Sequence, residues 1–318
     1  MCNRLLQAGN RLIARLAGRR KGPIWGCRGL LVLLASLCPA GAALAESPTT
    51  IQVAPTDHPR YEQTRRLLSQ QFDDVVFRAG SAGVGSDDLV ITLGQATLSE
   101  IRANSPEQPI LALFTESQAI HSIIQSQNQF SAIYSDPPLL RQARLGQLII
   151  PRAGKAAILA SPEKAGRYSD LRTRLGKIGL ESRVFVIPSQ DRLIRHLARA
   201  LSYGDFLLGT PDPSIFNRQT VKPLLLTSYR SNRLVIGPSR AFVNAGAVAS
   251  TYTSSRGQIR EAVELIRHWR DEGELQSPRY PRTFSVAVNE QVARSMDLLV
   301  PSEEELKKTL TRHQEDEP

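Results

Sequence analysis

The stretch "DLVITLGQATLSEI" (Asp88–Ile101) opens with a run that is apolar on successive positions, reaches Gly94, and continues with helical spacing. A strand that is apolar on both faces belongs inside a sheet covered by helices above and below. A glycine that hands such a strand to a helix N-terminus is the unit of a parallel α/β sheet. It leaves backbone N–H groups at the carboxyl edge, where ligands of such sheets bind. Many ligand-free βα units share this design, so the stretch fixes a fold class before it fixes a function.

Working outward, the same unit recurs. Strands are predicted at "TIQVA" (50–54), "DVVFRA" (74–79), "DLVITLG" (88–94), "ILALF" (110–114) and "SAIYS" (131–135). A second series follows at "AAILAS" (156–161), "SRVFVI" (182–187), "DFLLGT" (205–210), "LLLTS" (224–228), "RLVIG" (233–237), "GAVASTY" (246–252) and "FSVAV" (284–288). Helical patterns such as "LRTRLGKIGL" and "QDRLIRHLARAL" fall between them, so the expected fold is α/β with two doubly wound parallel-sheet lobes. "GQLIIPRAGKA" (146–156) interrupts both periodicities at Pro151 and Gly154 and reads as the linker between the two series.

The N-terminus does not belong to this pattern. Residues 1–28 carry seven basic side chains and no acid, and "GLLVLLASLCPAGAALA" (29–45) follows before Glu46. That is a secretory signal with its exit after Ala45, and its apolar part, 17 residues containing Pro39, is short for a bilayer that needs roughly 20. Periplasmic localisation is therefore expected, with a lipoprotein or membrane-anchored form as the alternative. Of 40 basic and 30 acidic residues in the chain, 33 and 30 lie beyond residue 45, so the excess charge belongs to the leader and argues against a nucleic-acid partner. Cys2, Cys27 and Cys38 also lie in it, which leaves the expected mature chain without disulfides or thiolate metal sites.

The turns after the predicted strands place Ser, Thr or Asp at candidate helix N-caps, among them "GQAT" (94–97), "TESQ" (115–118), "SDPP" (135–138), "SPEK" (161–164), "TPDP" (210–213) and "GPSR" (237–240). Thr115 with Gln118 reads as a capping box. Each residue alone is explained by capping its own helix. As a set at the carboxyl edges of two facing lobes, they would line a cleft suited to a small polar solute. No catalytic, metal or cofactor motif competes: His58, His121, His196, His268 and His313 form no H-x-x-x-H pair, and "GSAGVGSD" (80–87) lacks the Lys-Ser/Thr of a phosphate loop. Trp269 shares an apolar stripe with Ile259, Val263 and Ile266 and reads as core.

The order of four segments resembles the ABC transporter substrate-binding family that includes tryptophan- and tyrosine-binding proteins. They are "DLVITLGQATLSEI", "QPILALF", "LVIGPSRAFVNAGAVASTYTSSRGQIREAVELI" and "FSVAVNEQVARSMDLLVPSEEEL". The matching positions are Asp88 to Ala96, Val243 to Ser250, Val288-Asn289, Ala293, Met296-Asp297-Leu298 and Pro301. The resemblance implies a type I periplasmic binding fold whose chain crosses between lobes three times. Lobe one would hold 46–147 plus about 250–274, and lobe two about 155–248 plus 281–318. The implied activity is non-enzymatic: capture of a small polar solute, an amino acid being one option and another solute a second, and its delivery to an ABC permease, or, as the alternative, signalling of occupancy to a membrane sensor.

The sequence departs from that family where ligand contacts are expected. Only Gly80 to Asp87 part the second and third strands, Gly94-Gln95-Ala96-Thr97 replaces a "GTPA" turn, and "SPEKAGRYSD" opens lobe two. The candidate ligand-binding residues are Gln95, Ala96, Thr97, Thr115, Ser135 and Asp136 from lobe one, opposed by Ser161, Asp212, Ser239 and Arg240. Asp136 or Asp212 would neutralise an ammonium, and Arg240 would grip a carboxylate in a two-pronged contact.

Overall fold

The computed structural model describes residues 50–80, 85, 88–123 and 129–313; the basic leader, with its expected exit at Ala45, lies outside them, as does most of the loop from Gly80 to Asp87. The first part of the chain runs β1 (Thr50–Ala54), α1 (Tyr61–Ser69), β2 (Val76–Ala79), β3 (Leu89–Leu93), α2 (Gln95–Asn104), β4 (Ile110–Thr115), α3 (Ser117–Ile123) and β5 (Phe130–Tyr134). Its strands form one parallel sheet in the order β2-β1-β3-β4-β5. Then follow α4 (Leu139–Ile149), β6 (Lys155–Ala160), α5 (Ser169–Lys177), β7 (Glu181–Val186), α6 (Leu193–Tyr203), β8 (Phe206–Leu208), α7 (Val221–Arg230) and β9 (Leu234–Ile236). The chain ends with α8 (Arg240–Ala245), β10 (Ala249–Tyr252), α9 (Ser255–Glu272), β11 (Ser285–Val288), α10 (Glu290–Ser295) and α11 (Glu303–Arg312). The second sheet has the order β11-β10-β9-β8-β6-β7 and is parallel except where β11 runs against β10.

The segment "LVITL" is β3, and every residue of it is buried. Leu89, Ile91 and Leu93 pack with Ile51, Val53, Leu111 and Leu113 under α1 and α9. Val90 points the other way, toward Leu98, Ile101 and Phe130. Alternation across a strand explains how one run feeds two cores. Trp269 packs against the first of these, beside Ile259, Val263 and Ile266, as its stripe predicts.

Three features correct the sequence reading. "LLLTS" is not a strand but the middle of α7, because Leu224, Leu225 and Ser228 are buried at helical spacing. The strand at 249–252 belongs to the second sheet, whereas α9 after it packs on the first, so the boundary drawn near 250 falls a few residues too early. Pro151 to Gly154 is a turn inside lobe two and not the linker, since α4 before it already packs there with Leu140, Ala143, Leu145 and Ile149. The first crossing is therefore at residues 135–138, the second at 252–255, and the third between α9 and β11.

Gln142 holds α4 in place. It is fully buried; its Nε2 donates to the Gly237 carbonyl at 2.6 Å and Ser250 Oγ at 3.0 Å, and its Oε1 accepts from Thr251 N at 2.8 Å and Thr251 Oγ1 at 3.0 Å. Gly146 lets the helix approach: a Cβ there would sit 2.6 Å from the ring of fully buried Phe206. Gly146→Ala should therefore destabilise by about 1–3 kcal/mol through overpacking, more than the roughly 1 kcal/mol that alanine returns in helix propensity. A urea midpoint at or above the parent value would refute this.

Candidate ligand cleft

In each lobe a buried aspartate at the end of one strand ties down the loop after its neighbour. Beyond β5, Asp136 accepts from Ser117 N at 2.6 Å and Ser117 Oγ at 2.7 Å, and so caps α3 from outside its own turn. Beyond β8, Asp212 accepts from Ser161 N at 2.9 Å and Ser214 N at 3.1 Å, with Lys164 Nζ 3.7 Å away. Neither acid caps its own helix. The predicted Thr115–Gln118 capping box does not form: Thr115 is the last residue of β4, and its hydroxyl bonds the Leu113 carbonyl at 3.3 Å.

These ties position the walls of a cavity of about 590 Å³ between the lobes. Lobe one supplies Ser117, Gln118, His121 and Asp136; lobe two supplies Arg167, Tyr168, Asp170, Leu171, Arg174 and Pro211. Tyr280 enters from the third crossing, because Arg279 pairs along β5: Arg279 N donates to the Ala132 carbonyl and Tyr134 N to the Arg279 carbonyl, both at 3.0 Å. The Tyr280 hydroxyl then donates to Ser117 Oγ at 3.3 Å, and its ring meets Tyr134 edge-on at 4.8 Å. Gln118 Nε2 donates to the Tyr168 hydroxyl at 3.1 Å, joining the two lobes across the cavity.

The site keeps unused capacity. Gln118 Oε1 is buried without a hydrogen-bond partner, and Arg167 and Arg174 enter no ion pair among the described residues. Burial raises the Tyr168 and Tyr280 hydroxyls above the ordinary tyrosine range, so both remain protonated donors at neutral pH. Burial likewise raises Asp136, and burial followed by repulsion from Asp136 raises Glu116, which sits between the two ties.

A carboxyl raised in the folded state favours folding below its ordinary range, and that contribution is lost as pH climbs through the folded value. On this account the chain loses stability as pH climbs above the ordinary carboxylate range, and Glu116→Gln should raise the melting point at neutral pH and flatten that slope. Identical slopes for parent and variant would count against this assignment.

An open, ligand-free substrate-binding protein with adhesive properties from Clostridium difficile superposes with a TM-score of 0.64 at 12% identity, covering 81% of this chain and 97% of its own. A conserved domain protein from Vibrio cholerae gives 0.56 at 12% identity, over 80% and 97%. The ABC domain from Streptococcus pneumonia in complex with L-Trp gives 0.54 at 13%, over 82% and 97%. The fold is that of the type I periplasmic binding proteins. No family model matches the chain, and no curated protein is similar enough to count as a match.

On this fold the sequence candidates separate. Asp136 lines the cavity; Asp212 and Ser161 stand directly behind it, bonded to each other, and Thr115 lies buried two residues before Ser117. Ser135 is half-buried at the first crossing. Gln95, Ala96 and Thr97 open α2 after Gly94, whose φ of +89° only glycine adopts readily, but Gln95 and Ala96 are exposed and none of the three lines the cavity. Ser239 and Arg240 lie at the β9 edge, where the Arg240 guanidinium sits 5.0 Å over the Tyr252 ring. The guanidinium groups facing the cavity are Arg167 and Arg174.

Sequence reading did not name as site candidates Gln118, His121, Arg167, Tyr168, Arg174 and Tyr280, all of which line the cavity. A signal existed for two of them: "SPEKAGRYSD", the segment singled out as unusual, holds both Arg167 and Tyr168. Among the described residues no helix is long and apolar enough to cross a membrane, and no group of His, Cys, Asp and Glu could hold a metal ion.

Proposed function

We propose that this chain is an exported solute-binding protein that closes its lobes on a small zwitterionic, amino-acid-like solute and delivers it to an ABC permease. The observation that carries the reading is the interlobe cavity itself. Its walls join two unpaired guanidinium groups, a buried amide oxygen without a donor, and the rings of Tyr168 and Tyr280. A solute carboxylate pairs with Arg167 or Arg174, its ammonium donates to Gln118 Oε1, and its side chain lies against the rings. Because both lobes contribute, the bound solute has more partners in the closed state, which is what drives hinge closure. Solute binding is the role that this lining of cations, amide and aromatic rings supports.

The test is a thermal-shift screen of the protein against amino acids, small carboxylates, nucleosides and sugars. A solute at a hundredfold excess over its dissociation constant stabilises the folded state by about 2.7 kcal/mol, a clear rise in melting point. A rise confined to zwitterions supports the proposal, and a rise confined to neutral solutes refutes the assigned chemistry. Copurification with a permease instead of a membrane sensor separates transport from signalling.

A further inference from the structure

A second cavity lies on the hinge and shares no residue with the cleft. It measures about 370 Å³ and is walled by Arg256 and Arg260 of α9, Arg282 with Thr283 and Ser285 of the third crossing, and Lys307 of α11. Four cations and no acid line it. Of the four, only Arg282 meets a carboxylate within ion-pair distance among the described residues, Glu264 at 3.6 Å, and Arg279 shares that acid at 3.3 Å. Buried Glu261, below, already accepts from Arg282 N at 3.0 Å and Thr283 N at 3.1 Å, with Arg279 3.7 Å away. Arg256, Arg260 and Lys307 have no such partner among the described residues. Arg256 and Arg260, one helical turn apart, also repel each other.

The walls come from both lobes. α9 packs in the core of the first sheet, and Leu306 and Leu310 of α11 pack in that of the second. The two crossings that form the floor are bonded together, Thr253 Oγ1 donating to the Thr283 carbonyl at 2.9 Å. Gly257 lets the floor close, since a Cβ there would come within 2.9 Å of Thr253 Cγ2.

We propose that this hinge cavity is a second binding site, for a phosphate-bearing anion that bridges the cations of the two lobes. Planar guanidinium forks match phosphate oxygens, and the Ser285 hydroxyl adds a donor, whereas those of Thr283 and Thr311 already donate to Glu261 and to the Lys307 carbonyl. The phosphate comes either from a soluble anion or from a lipid headgroup, and both are tested. The site stands on its own residues, so it holds or fails independently of the cleft reading.

The experiment titrates the full chain with pyrophosphate by calorimetry at low salt and sediments it with vesicles of phosphatidylglycerol or of phosphatidylcholine. The comparison is between Arg260→Gln/Lys307→Gln and a control that also removes two exposed charges, Arg195→Gln/Arg199→Gln. Pyrophosphate affinity is expected to fall about tenfold or more in the hinge variant and to change less than about twofold in the control. The same contrast seen only with phosphatidylglycerol vesicles assigns the phosphate to a headgroup. If neither probe binds the parent chain, or both variants lose binding equally, the site is refuted. Melting points of the variants, together with an Arg260→Lys variant that keeps the charge but not the fork, show whether a loss reflects the anion contact or the fold.

Discussion

Asp212→Ala is expected to cost roughly 3–5 kcal/mol of folding stability, the range for removing one partner of a buried charge pair. Asp212 is 1% exposed, accepts from two backbone donors, Ser161 N and Ser214 N, and lies 3.7 Å from the Lys164 ammonium. Alanine leaves the Ser161 amide without its acceptor and strands an ammonium that is itself mostly covered, with one carbonyl, that of Pro211 at 3.3 Å, still accepting from it. The converse change is milder, because in Lys164→Met the carboxylate keeps both amides and methionine covers similar apolar area. Urea denaturation read as a midpoint at constant m-value measures the difference. An Asp212→Ala loss below about 1 kcal/mol, or no greater than that of Lys164→Met, would show that the tie is incidental.

That tie also shows what sequence could and could not disclose. "LVITL" announces a doubly covered strand because both faces are apolar. "LLLTS" misleads because three leucines in a row satisfy either period, and the helix emerges only once Val221 and Ser228 are placed on the face of Leu224 and Leu225. The strand-end rule finds the edge of each sheet, where all ten candidate residues belong. It does not say where along that edge the lobes meet.

That depends on the crossings, and Ser135-Asp136-Pro137-Pro138 carried less obvious linker chemistry than Pro151 to Gly154. Ser239, Arg240 and the start of α2 therefore lie on the predicted edge yet outside the cavity. Asp136 and Asp212 lie at or behind it, with oxygens already engaged by backbone amides that no sequence pattern reveals. Tyr280 reaches the cleft because Arg279 adds a bridge beside β5, a pairing between residues far apart in the chain.

Arg174→Ala should weaken binding of the solute found in the screen by one to two orders of magnitude, about 1.5–3 kcal/mol for a hydrogen bond to a charged group, while leaving the melting point of the unliganded chain nearly unchanged. Arg174 is half-buried on the inner face of α5, makes no ion pair among the described residues, and its charge pulls the Tyr280 hydroxyl downward against a larger upward effect of burial. Arg174→Lys keeps the charge but not the planar fork and should fall between parent and alanine. The decisive comparison uses the solute and its neutral carboxamide: if the guanidinium reads a carboxylate, the alanine change penalises the acid strongly and the amide little. Equal penalties for both would mean that Arg174 only shapes the wall, and Arg167 would become the sole candidate for the anion contact.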